Sequence, residues 1–116
     1  MGADNFTTRA KGTTATDAFR TAKDEAYYMH GHRGYTGTIA DKNEFIEIPL
    51  PKDVDAAEFI HWVEVMDYND YNPSEIPAQY LALVKRAYTT WKDKWGPAVA
   101  VKCCDGEYIF FGLASS

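Results

Sequence analysis

Polar and apolar positions alternate from Asn5 to Lys11. Phe6, Thr8 and Ala10 fall on one side; Asn5, Thr7, Arg9 and Lys11 fall on the other. A period of two predicts a strand with one wet face, and Gly12 ends it. From Thr13 to Met29 the period lengthens, and Phe19, Ala22, Ala26 and Met29 trace one stripe of a helix. Thr14 is placed to cap that helix, Asp17 sits near the positive end of its dipole, and Gly31 suits its C-terminal turn. A short strand is expected over Thr36–Ala40 and a better one over Phe45–Ile48, stopped by Pro49-Leu50-Pro51.

The pattern predicts a second helix from Asp53, as N-cap, to Met66, with Ala56, Phe59 or Ile60, Val63 and Met66 facing inward. Asp67–Asn72 reads as a polar, aromatic loop. Ser74 then caps a third helix whose buried face runs through Ile76, Tyr80, Leu83 or Val84, Ala87, Trp91 and Trp95, until Gly96-Pro97 stops it. Asp105-Gly106 between two apolar runs predicts a type I′ hairpin that pairs Cys104 with Glu107, Cys103 with Tyr108, Val101 with Phe110 and Val99 with Gly112. Val99, Val101, Cys103, Tyr108 and Phe110 then share one face. Both faces are substantially apolar, so the hairpin is central or a partner covers its second face. The order is β-α-β-α-α-β-β, an α+β single domain spanning residues 1–116. A mostly antiparallel sheet of four or five strands is expected, with helices packed on one face.

Composition narrows the functions available. The 116 residues carry 12 Lys+Arg against 17 Asp+Glu, a net charge of −5. A nucleic-acid binder normally presents a basic face, so no direct nucleic-acid binding is expected. No apolar run is long enough to span a membrane. Met1–Phe6 has neither a basic nor an apolar signal region, so a cytoplasmic chain is expected, in a host cytoplasm if phage-encoded. Cys103 and Cys104, the two cysteines, are adjacent. On a regular strand they point to opposite faces, which strains a disulfide and fits no zinc spacing. Cys103 reads as a core residue, and Cys104 as reactive where exposed.

The segment His30–Thr38 is the least ordinary in the chain, with Gly31, Gly34 and Gly37 at a spacing of three. Such glycines permit positive φ and close backbone approach. Arg33, Thr36 and Thr38 are suited to an anion, and His30 or His32 to proton transfer. The glycines follow a helix, however, which inverts the order of known phosphate loops. His30, His32 and His61 offer no fixed metal spacing, and Asp67–Asn72 lacks the glycine and glutamate of a calcium loop. No metal and no cofactor are implied.

Two stretches carry a resemblance. His30-Gly31-His32-Arg33-Gly34-Tyr35-Thr36-Gly37-Thr38-Ile39-Ala40-Asp41-Lys42 resembles the GHxGYTGTIAEK segment of small uncharacterised phage and bacterial proteins, with Asp41 in place of the glutamate. Asp93–Ala98 and Phe110–Ser115 resemble the end of the same proteins. The resemblance implies a phage or mobile-element setting and one small domain, and transfers no catalytic residue.

The leading expectation is a non-enzymatic accessory or inhibitor protein that binds a protein or a small anionic ligand. Arg33, Gly34, Tyr35, Thr36, Thr38 and Trp95 are its contact residues, and the glycine loop lies near the Trp95-Gly96 corner. The alternatives are a small hydrolase or transferase for a phosphorylated or nucleotide substrate, with His30 or His32 as acid–base, and a structural homo-oligomer built on the second face of the sheet.

Overall fold

The structure, a computed structural model, describes residues 2–31, 36–66 and 75–116. The element order is the expected one. Strand β1 (Ala3–Lys11) is followed by helix α1 (Ala15–His30), a 3₁₀ turn (Ile39–Asp41) and strand β2 (Phe45–Glu47). Helices α2 (Ala56–Val65) and α3 (Ala78–Trp91) come next, then strands β3 (Ala98–Cys104) and β4 (Glu107–Ser115). The expected polar loop over Asp67–Asn72 and the Ser74 cap lie outside the described residues.

The fold is α+β, with one four-stranded sheet in the order β1-β4-β3-β2. β4 pairs antiparallel with β1 and with β3, whereas β2 runs parallel to β3. Two helices separate β2 from β3 in sequence, and that length of chain is what a parallel crossover requires. The sheet is therefore mixed.

The sequence predicts helices on one face of the sheet; they cover both. Val99, Val101, Ile109 and Phe111 pack with α2 and α3 through Phe59, Val63, Val84 and Trp91. Ala98, Ala100, Tyr108 and Phe110 pack with α1 through Ala18, Phe19 and Ala22, and with Phe6 and Ala10 of β1. The two apolar faces of the hairpin are both buried by the chain's own helices. The second sheet face is accordingly unavailable as the interface of a homo-oligomer.

The hairpin register departs from the predicted one by a single residue. Cys104 pairs with Glu107, but Lys102 pairs with Tyr108, Val101 with Ile109 and Val99 with Phe111. A bulge between Lys102 and Cys104 leaves Cys103 without a partner in the ladder. The alternation along each strand is the expected one. The bulge shifts one strand's phase against the other, so Val99 and Val101 share a face with Ile109 and Phe111 and not with Tyr108 and Phe110.

Other boundaries moved for local reasons. Thr14 caps α1 as expected, its hydroxyl accepting from the Asp17 amide at 3.1 Å. Met29 is 75% exposed and leaves the buried stripe to Ala15, Ala18, Phe19 and Ala22. Asp55, not Asp53, caps α2, accepting from the Glu58 amide at 3.0 Å. Pro51–Val54 forms a turn that buries Val54 before the helix begins. α3 stops at Trp91 because Asp93 closes a turn, accepting from the Trp95 amide through Oδ1 at 3.0 Å and from the Gly96 amide through its carbonyl at 3.1 Å. Trp95 is thereby thrown out of the stripe and is 62% exposed.

Candidate functional site

The expected strand over Thr36–Ala40 is a capped 3₁₀ turn. Thr38 accepts from the Ala40 amide at 3.2 Å, and its hydroxyl lies 2.7 Å from that of Thr36. Both the amide and the hydroxyl of Thr36 donate to Asp41 Oδ2 at 2.8 Å. Short polar side chains satisfied by neighbouring backbone favour such turns over a ladder. Gly37 has φ +71, and a Cβ there would meet Asp4 Oδ2 at 2.7 Å, so glycine is required. Its amide donates to the Ser115 carbonyl, docking the segment on β4.

Lys42 joins this segment to the end of α3. The side chain is buried, and Nζ donates to the carbonyls of Asp93, Lys94 and Gly96 at 3.3, 3.3 and 3.0 Å. All three ammonium protons thus have acceptors. Burial pulls the Lys42 ammonium below the ordinary lysine value, against the opposing carboxylates of Asp93 and Asp41. Lys42, with the Ala98 amide donating to the Glu44 carbonyl at 3.0 Å, holds the segment that follows the glycine loop beside the Trp95-Gly96 corner. Trp95 projects from the corner with Lys94 Nζ 5.3 Å from its ring centroid. His32, Arg33, Gly34 and Tyr35 lie outside the described residues, as does the side chain of His30. Among the expected contact residues, Thr36 and Thr38 hold the turn together and Trp95 is exposed.

Three further surface features lie among the described residues. At the end of α1, Tyr28 is 92% and Met29 75% exposed. They line a shallow concavity of about 540 Å³ together with Asp24 and Glu25. On the other face of the sheet, a groove of about 440 Å³ opens between β1 and α2, with Ile60 and Ile109 below and Arg9, His61 and Glu64 around it. The sequence did not bring these groups together, because only the sheet order places β1 beside α2.

The hairpin tip is the third feature. The bulge brings Cys103 Sγ and Cys104 Sγ to 3.8 Å, in place of the opposite-facing pair a regular strand would give. Cys104 Sγ donates to Glu107 Oε2 at 3.2 Å, and Arg9 Nη1 lies 4.0 Å from the same oxygen. The hydrogen bond to Glu107, with Cys103 adjacent, pushes the Cys104 thiol up to about 11. Cys104 is exposed as the reactive reading required, but a thiol with a raised pKa is a poor nucleophile at neutral pH.

No described helix is long and apolar enough to cross a membrane. No family model matches the chain, and no curated protein or solved structure matches it.

Proposed function

We propose that this chain is a small non-enzymatic binding module that holds a protein partner through the C-terminal end of α1 and the loop that follows. The exposure of Tyr28 and Met29, side by side on the last turn, carries this reading. A methionine left in water forgoes about 1.5–3 kcal/mol that burial would supply. Tyrosine and methionine are enriched at interface cores. Asp24 and Glu25 border the pair, so the complementary partner has an apolar anchor site with basic residues at its rim. The resemblance of His30–Lys42 to uncharacterised phage and bacterial proteins bears on the setting, a phage or mobile element, and not on the role. Arg33 and Tyr35, contact residues expected from the sequence, and exposed Trp95 belong to the same reading.

The double variant Y28A/M29A is expected to lose retention of the partner from extracts of the source cell while its melting temperature stays within about 2 °C, as surface substitutions do. Undiminished retention by that variant would remove the α1 surface from the reading. Y35A tests the loop in the same assay. T36A serves as a contrast, since loss of its bonds to Asp41 acts on stability first.

A second reading, a small anionic ligand, is favoured by the β1–α2 groove, where Arg9 and His61 stand over an apolar floor. The groove is also lined by His61 and Glu64, a histidine and a carboxylate of the kind the enzymatic alternative uses. Turnover of a phosphorylated substrate that H61A abolishes would replace the binding module by that alternative.

A further inference from the structure

We propose that the hairpin tip is a binding site for a soft divalent cation of the zinc or cadmium type, held by Cys103, Cys104 and Glu107. The three donor atoms lie within 4.8 Å of one another. Two thiolates bound to one tetrahedral zinc ion at the usual bond length stand about 3.8 Å apart, and a thiolate and a carboxylate oxygen about 3.5 Å apart. The sulfurs are 3.8 Å apart, and Glu107 Oε2 lies 3.2 Å from one and 4.0 Å from the other. The donors already span the edges of a coordination tetrahedron before any ion enters.

The backbone accounts for this arrangement. Adjacent cysteines chelate poorly on a regular strand, because their side chains diverge. The bulge at Cys103 cancels that divergence, and the tight turn through Asp105 and Gly106 returns Glu107 opposite Cys104. All three ligands lie within five residues, so little chain entropy is lost in closing the site. Two sulfurs select a soft ion over calcium or magnesium. Binding displaces one proton from each thiol to solvent, giving two thiolates and a carboxylate around a dication. The excess negative charge that remains faces the Arg9 guanidinium. The fourth position is open to solvent on the side of exposed Cys104, available to water or to a donor from a bound molecule. The site is separate from the α1 surface and does not depend on it.

The test is titration of the reduced full chain with cadmium alone, followed by thiolate-to-cadmium charge-transfer absorption, with zinc as competitor. Saturation at one cadmium per chain, with the intensity of two thiolates, is expected. C104S should weaken binding on the order of 100-fold, the upper end of what even a supporting residue contributes at a metal site, and E107Q about tenfold with the two-thiolate band retained. Absence of a band saturating at one equivalent, or binding unchanged by E107Q, overturns the three-ligand site. Should C103S fail to fold, C104S, altered at an exposed side chain, carries the test. Zinc should also raise the melting temperature of the wild type and leave that of C104S unmoved at the same concentration; equal shifts in both count against the proposal.

Discussion

The two faces of the sheet are packed by different means. On the α2/α3 face, β3 and β4 present Val99, Val101, Ile109 and Phe111, and the helices answer with Phe59, Ile60, Val63, Val84 and Trp91. On the α1 face, β3 presents only Ala98 and Ala100, and α1 answers with Ala15, Ala18 and Ala22 around three phenylalanines, Phe6, Phe19 and Phe110. Small residues let α1 lie close. At Gly12, just before that helix, a Cβ would meet the Ala18 backbone nitrogen at 2.5 Å. One face is stabilised by bulk and the other by close approach, so the two should fail in opposite ways.

Removing bulk should have the largest effect. F111A empties the centre of the α2/α3 face and is expected to cost about 3–5 kcal/mol, read as a lower urea midpoint at constant slope. A loss below about 1 kcal/mol would show that this face collapses easily and would break the contrast. Adding bulk on the α1 side comes next. A100L is expected to cost about 1–3 kcal/mol by forcing α1 from the sheet. The same change at exposed Ala82, A82L, should be near neutral. Equal tolerance at both positions would mean that α1 is not closely packed. T14A sharpens the comparison further, because a helix that buries mostly alanine relies on its cap; a loss of about 1 kcal/mol is expected.

The smallest effect is expected from pH. Burial holds the Lys42 pKa below its ordinary value, so the unfolded chain binds the proton more tightly than the folded one. The resulting penalty is complete below the folded-state pKa and fades as pH rises toward about 10.4. Wild type should therefore gain stability relative to K42M as pH rises through the alkaline interval below about 10.4. A constant difference across that interval would assign Lys42 no burial penalty.

Much of this architecture was legible as local pattern. The β1 alternation, the Thr14 cap, the Asp-Gly turn and the stripe of Ala56, Phe59, Ile60 and Val63 are properties of short windows, and all were visible. What escaped depends on counting across a break or on long-range partners. The bulge at Cys103 carries no composition of its own, and it decides both which faces of β3 and β4 combine and where two sulfurs point. Thr36–Ala40 has a β-branched composition, but Thr38 and Asp41 satisfy the backbone locally and turn it instead. Lys42 reads as an exposed lysine in a turn; three carbonyls more than fifty residues away bury it. The groove of Arg9, His61 and Glu64 exists only once β1 is known to be an edge strand beside α2.

The bulge also decides which deletions the hairpin can absorb. Cys103 has no partner in the ladder, so its loss would leave Cys104 opposite Glu107, Lys102 opposite Tyr108 and Val99 opposite Phe111, as they are. Both strands would keep their faces, and what would vanish is the convergence of the two sulfurs. A codon lost between Val99 and Lys102 would instead put the preceding part of β3 on the opposite face, a change of layer assignment and not of surface detail.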